Sequence, residues 1–308
     1  MLYRQLLLII NPKSGLAQGK RFLSEIVSVF ARYGYISTVC ITAAQGDATR
    51  FAADLGKGMD LIVCVGGDGT LNETVQGVMQ AGLTAPLGYI PAGSTNDFAA
   101  SLGLSRDMVT AAEDIMLGKP KALDLGRFNG KYFTYVAAFG AFTSVCYTTP
   151  QLNKNLLGRM AYFMEGVKDL SSIRPEYIRV ETENGVYEGD YVLGAVCNST
   201  SVAGILKLPS DRVDMNDGVF EIMLIRMPET TQELNIILNA FATNHYENEM
   251  ISFIRAGKAT IHAPAQMNWT LDGEYECGRK LCTVENVPNA IRLMVNDNKK
   301  LRLFNIRV

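Results

Sequence analysis

Three glycines, an aspartate and a threonine stand together at Gly66-Gly67-Asp68-Gly69-Thr70, after the apolar run 61–65 and before a helical pattern. Glycines let a backbone approach phosphate oxygens closely, and a following helix N-terminus offers N–H groups and partial positive charge. A tight strand-to-helix turn needs less than this. The loop is neither a Walker A element nor a GxGxxG fingerprint, and the usual lysine is missing. The residue types predict a phosphate-binding loop, with Leu71, Asn72 and Glu73 opening the helix behind it.

A second loop, Gly93-Ser94-Thr95-Asn96-Asp97-Phe98, repeats the arrangement after the next apolar run. Ser94 and Thr95 can donate hydrogen bonds, and Asp97 brings a carboxylate into the same region. Capping by Thr95 or Asn96 would explain the same residues structurally. Two such loops on neighbouring strand ends would form a two-sided phosphate cradle. Further on, Asp214-Met-Asn-Asp217-Gly-Val219 and Leu271-Asp-Gly-Glu274 read equally well as β-turns or as carboxylate sites.

The elements that must position these loops alternate between strand and helix up to residue 125. Apolar runs at 6–10, 35–42, 61–65 and 87–90 predict strands. Helical spacing at 20–33, 47–55 (with Asp47 a candidate cap) and 71–81 predicts helices between them. Such runs argue for a parallel sheet covered on both faces, whose ligand crevice lies at the strands' carboxyl ends. After residue 125 the pattern turns to strands, at 127–139, 177–182, 189–198, 218–226, 259–263, 267–271 and 290–295. Helices are expected at 155–170 and 231–240, and Asn129-Gly130 is a hairpin signal. The expected organisation is a nucleotide-binding domain at 1–125, joined by a final strand at about 299–308, and a mostly antiparallel β-rich domain at 126–298. The active site is expected in the cleft between them.

Composition excludes several classes. A 308-residue chain with 48% hydrophobic and 19% charged residues is ordinary for a globular protein. A net charge of −2 gives no footprint for nucleic acid. No apolar run approaches the roughly 18 residues of a membrane span, and the N-terminus has no signal-peptide pattern. A cytoplasmic protein is expected. Of the six cysteines, Cys277 and Cys282 lack the further ligands that a zinc site needs. With only His245 and His262 present, a serine hydrolase triad is a poor fit.

The pairing of Gly66-Gly-Asp-Gly-Thr-Leu-Asn-Glu73 with Gly93-Ser-Thr-Asn-Asp-Phe-Ala99 resembles the catalytic domain of the diacylglycerol kinase family. The likeness begins at Asn11-Pro-Lys-Ser-Gly15 and ends at Leu271-Asp-Gly-Glu274, and it is strongest to bacterial soluble lipid kinases. The GGDGT element alone is shared with NAD kinases and phosphofructokinases. What the resemblance implies is an ATP- and magnesium-dependent kinase of a lipid hydroxyl, with diacylglycerol the leading substrate and phosphatidic acid its product. Asn11, Thr42, the stretch from Gly66 to Glu73, and Gly93, Ser94 and Thr95 would line the nucleotide site. Asp68 would organise magnesium and nucleotide, with Asp97 and Asp124 assisting, and Glu274 would accept the proton. Asp217, with backbone oxygens at Asp214 and Val219, would hold a structural magnesium ion.

The implied partner is a membrane lipid met by peripheral contact at the inner membrane face, and a homodimer is admitted. The segment 154–159, with Lys207, offers basic and apolar groups to anionic lipid, or else is a solvated helix start. Two rival readings stay open. One is an NAD kinase-like small-molecule kinase; the other is a lipid-binding regulator with weak catalysis.

Overall fold

The computed structural model describes residues 3–14, 21–140, 174–202, 206–208 and 213–297. The helix expected at 155–170, the basic segment at 154–159 and the closing strand at 299–308 lie outside these residues. In chain order the first elements are β1 (Arg4–Ile10), α1 (Leu23–Arg32), β2 (Tyr35–Ile41), α2 (Asp47–Leu55), β3 (Leu61–Gly66), α3 (Asp68–Gln80), β4 (Leu87–Pro91), α4 (Asp97–Ser101) and α5 (Met108–Leu117). Then come β5 (Lys119–Phe128), β6 (Lys131–Phe133), β7 (Val136–Gly140), β8 (Glu176–Thr182), β9 (Gly185–Cys197), β10 (Ser201–Val202) and β11 (Leu206–Lys207). The last are β12 (Phe220–Arg226), α6 (Thr231–Thr243), β13 (Ile251–Ala256), β14 (Lys258–His262), β15 (Asn268–Leu271), β16 (Glu274–Cys277) and β17 (Leu281–Val295).

The chain divides into two compact units, Met1–Leu123 with the chain from Asn289, and Asp124–Pro288. In the first unit, β1, β2, β3 and β4 pair in parallel, in the order β4-β3-β1-β2. The end of β17 adds a parallel partner to β4 through Leu293 and Leu87. Every residue of β3 and β4 is buried, as a strand covered on both faces requires. Leu6, Leu8, Ile10, Val63, Val65 and Ile90 pack against Ile26, Val29 and Phe30 of α1 and Ala111, Ala112 and Ile115 of α5. Fully burying an aliphatic side chain of this size stabilises by about 1.5 to 3 kcal/mol. This core fixes where the loops at the strand ends emerge.

The second unit is antiparallel. Its strands follow the order β16-β15-β7-β9-β8-β14-β17, while β12 pairs with β9 and β13. Strand β9 serves two partner sets: its first half pairs with β8, and its second half pairs with β7 and β12. Trp269 is fully buried, with Phe128 and Phe139 ring centroids 4.7 and 5.0 Å away.

Several boundaries differ from the sequence expectation. The helix of the first glycine loop begins at Asp68, not near residue 71, so Asp68, Gly69 and Thr70 form its first turn. Asp47 does not cap α2; Gly46 holds that position with φ 85°, and the Asp47 carboxylate turns back to accept from Ala43 N and Ala44 N. The run 127–139 is broken into β5, β6 and β7. Asn129 and Gly130 adopt φ 47° and 95° in a hairpin that pairs Phe128 with Lys131. The strand expected at 290–295 starts at Leu281.

Candidate active site

The first unit brings several of the expected nucleotide residues to one edge of its parallel sheet. Asn11 follows β1 and donates its backbone N–H to Val65 O at 2.9 Å, while Thr42 follows β2 and donates to Ile10 O at 2.9 Å. Asn11 Nδ2 also donates to Thr70 Oγ1 at 3.0 Å, tying the end of β1 to the first turn of α3. Because β2 and β3 lie on opposite sides of β1, this edge is a switch point of the sheet, where open parallel folds bind ligands.

The two glycine loops meet backbone to backbone. A Cβ built on Gly93 would stand 2.6 Å from the Gly67 Cα, and one on Gly67 would stand 3.3 Å from the Gly93 Cα. Neither contact tolerates a side chain without a backbone shift. Asp68 adds a polar tie, its Oδ2 accepting from Asp97 N at 3.1 Å and its Oδ1 from Phe98 N at 3.4 Å. A carboxylate at a helix start is favourable for the exposed N–H groups there. Asn96 holds the second loop in shape with φ 54°. Its Oδ1 accepts from Gly93 N at 2.9 Å and its Nδ2 donates to Gly93 O at 2.7 Å, so it bonds backward and does not cap α4. Asp97 is 2% exposed. Burial, with the Asp68 carboxylate next in effect, pushes the Tyr89 phenol well above its ordinary range, so it stays a neutral donor toward Asn96 Oδ1.

Three residues of the loop 66–73 face elsewhere. Leu71 is fully buried, and its backbone N–H donates to Gly67 O at 3.1 Å. Asn72 Oδ1 accepts from Gln76 Nε2 at 3.4 Å. The Glu73 carboxylate accepts from Gly46 N at 2.9 Å and Ala48 N at 3.2 Å, and thereby closes the N-terminus of α2. Gly69, Ser94 and Thr95 remain beside the cradle, with Thr95 O accepting from Arg106 Nη2 at 3.3 Å.

In the second unit the expected metal residues share one turn. Asp214 Oδ1 accepts from Asn216 N and Asp217 Oδ1 from Val219 N, both at 3.1 Å, and Gly218 turns the chain with φ 78°. Asp124, fully buried, accepts from Gly218 N at 2.8 Å. Its carboxylate therefore braces this turn. The donor set suits magnesium, being one carboxylate and backbone carbonyls, all hard oxygen. Two groups compete for it: the Arg255 guanidinium ion-pairs with Asp217 Oδ2, and Asn286 Nδ2 donates to Val219 O at 3.3 Å. Among the described residues no cluster of three His, Cys, Asp or Glu side chains forms.

Glu221 and Arg255 carry no sequence signal. Glu221 is 1% exposed inside the apolar strand β12, with Arg255 Nε 3.4 Å from its Oε1. Burial pushes its carboxyl up to about 7, against the pull of Arg255. Only the cross-strand register of β12 with β13 sets Arg255 opposite it. Glu274 opens β16 after a two-residue turn, paired with Leu271.

A parallel sheet with paired glycine loops and an antiparallel second unit defines the fold of NAD kinases. An NAD kinase from Archaeoglobus fulgidus, solved with ATP, superposes with a TM-score of 0.52 at 12% identity, over 97% of each chain. A diacylglycerol kinase structure from Bacillus anthracis superposes with 0.74 at 24% identity, over 96% of this chain and 98% of that one. Residues 5–128 match the diacylglycerol kinase catalytic domain, and residues 140–295 match the YegS C-terminal NAD kinase beta sandwich-like domain. A diacylglycerol kinase of Bacillus subtilis (strain 168) is 34% identical over 270 residues, 87% of this chain and 89% of that protein. Another from Staphylococcus haemolyticus is 32% identical over 269 residues, 87% of this chain and 81% of that protein. The chain belongs to the diacylglycerol kinase family, and it is a lipid kinase of that family. No helix among the described residues is long and apolar enough to cross a membrane.

Proposed function

We propose that the protein transfers the γ-phosphoryl group of ATP to the hydroxyl of diacylglycerol, forming phosphatidic acid. The observation that carries this reading is the joined pair of glycine loops, in contact at Gly67 and Gly93 and tied by Asp68 to the start of α4. Phosphoryl transfer asks a protein mainly for positioning and charge stabilisation. The N-terminus of α3 supplies N–H groups for the phosphates, with Ser94 and Thr95 as side-chain donors. Asn11 and Thr42 border the same edge.

Asp68 and Asp97 are the carboxylates on the loops that would organise a magnesium ion, which retains several waters. Bound magnesium neutralises charge on the transferred group. In the second unit, Asp217 with the carbonyls of Asp214 and Val219 would hold a structural ion, and Asp124 supports that turn from beneath. Glu274 takes the proton from the attacking hydroxyl, for which a carboxylate within hydrogen-bond reach is sufficient.

The test is radiolabelled ATP with a panel of lipids in mixed micelles, and with NAD in a parallel reaction. Labelled phosphatidic acid from diacylglycerol, in a magnesium-dependent manner, is the expected product. Labelling of NAD alone, or of no lipid, would refute the assignment.

A further inference from the structure

The hairpin that presents Glu274 carries in its turn a carboxylate that the turn itself does not require. Asp272 and Gly273 link β15 to β16 with φ 51° and 86°, so both central residues are left-handed. Asparagine, aspartate and glycine all serve such turns, asparagine at least as well as aspartate. The aspartate is explained by what its carboxylate meets. Oδ2 accepts from Thr134 N at 2.6 Å and from Thr134 Oγ1 at 2.8 Å. Oδ1 accepts from Tyr135 N at 2.9 Å and from Val136 N at 3.1 Å. The Asp272 backbone N–H completes the tie by donating to Val136 O at 2.9 Å. Asp272 is 5% exposed and Thr134 fully buried, so water does not substitute for these bonds.

Both carboxylate oxygens are thus committed to three consecutive residues, Thr134 and Tyr135 after β6 and Val136 at the start of β7. Asparagine would keep the turn but offer a single acceptor oxygen, with its NH2 group facing N–H donors. From this geometry we infer that Asp272 is a positioning residue: it clamps the hairpin to the 134–136 segment and so fixes the direction of Glu274, two residues along. The inference rests on Glu274 being the proton acceptor proposed above. A misplacement near 1 Å at a reacting group can cost about 100-fold in rate, so a loosened hairpin need not unfold to be felt.

The experiment is a double-mutant cycle of Asp272→Asn and Glu274→Gln, assayed with ATP and dioleoylglycerol in mixed micelles, with melting temperatures recorded. Asp272→Asn should lower kcat on the order of 10- to 100-fold while leaving KM for ATP unchanged. The doubly substituted enzyme should be no slower than Glu274→Gln alone, because a residue acting only through Glu274 has nothing left to position. Thr134→Val, which removes one donor of the four, should show a smaller kcat loss with the same non-additivity, and it serves if Asp272→Asn does not fold. Defects that multiply in the double variant, or unchanged kcat in a folded Asp272→Asn protein, overturn the inference while leaving Glu274 as the base. Normal turnover in Glu274→Gln removes the base assignment itself and the inference with it.

Discussion

The glycine loops of the first unit and the carboxylate turns of the second reach their shapes by different means. The loops at 66–70 and 93–97 follow fully buried parallel strands and run into helices. Their place is set by the sheet, and their close approach needs only the absence of side chains at Gly67 and Gly93. The turns at 214–219 and 272–273 belong to an antiparallel unit, and distant polar groups hold them. Asp124 grips Gly218, Arg255 pairs with Asp217, and Asp272 grips residues 134–136. In the first unit the sheet places the loops, and Asp68 and Asn96 tie them; in the second, a single carboxylate holds each turn.

The sharpest way to break this contrast is Glu274→Gln. It should cut turnover by roughly 10² to 10⁴, with ATP affinity nearly intact, since the amide cannot take a proton. Turnover and nucleotide affinity measured together decide it, and near-normal turnover would remove Glu274 as the base. In the first unit the corresponding test is Gly93→Ala. Forcing the loops apart should cost about 1 to 3 kcal/mol of stability and weaken ATP binding, which denaturant unfolding and nucleotide titration would read.

Asp68→Asn sharpens the comparison further. The amide keeps one acceptor toward α4 but removes the charge, so stability should fall by about 1 to 2 kcal/mol, with magnesium-dependent nucleotide affinity falling alongside. A variant that melts normally but binds no nucleotide would make the Asp68 tie to α4 incidental. For the second unit, Asp217→Asn should abolish any rise in melting temperature on adding magnesium without ATP, because only an ion bound to the native state stabilises it. An undiminished magnesium response would place the ion elsewhere.

The smallest effect is expected at α5, away from both regions. Asp107 caps it by accepting from Thr110 N at 2.8 Å, and the Thr110 hydroxyl first, then that N–H, hold the carboxyl below its ordinary range. Asp107→Ala should cost about 1 kcal/mol at neutral pH. The lowered folded-state pKa means the contribution is complete above the unfolded value and is lost as pH falls below it. Wild type and variant should therefore converge in acid, as thermal melts between neutral and strongly acidic pH would show.

The first unit was readable because its strands are continuous apolar runs and its loops are local motifs. Even Asp68 was visible as a loop residue, though not as the partner of α4, since that contact joins residues far apart in sequence. Helix α5 is absent from the sequence expectation, since its buried face mixes Asp114 with Met108, Ala111, Ala112 and Ile115. In the second unit β16 reads Glu-Tyr-Glu-Cys with no buried residue, so it has no apolar alternation to detect. The partnerships of Asp124, Glu221 and Asp272 depend on register between strands, which no local pattern encodes. Glu73 shows the same limit: its place in a phosphate motif points to the nucleotide, and nothing local announces that its carboxylate also accepts from Gly46 N and Ala48 N at the start of α2.

The pairing of Leu87 with Leu293 also has a consequence for biosynthesis. During translation, β1 to β4 leave the ribosome early, while the strand that covers the outer side of β4 emerges only after the whole second unit. Until then β4 presents an uncovered apolar edge, the kind of surface that recruits foreign strands. Closing so long a loop is also slow relative to local pairing. The order of maturation is therefore the reverse of the order in sequence: the second unit can complete its pairings first, and the first unit is sealed last.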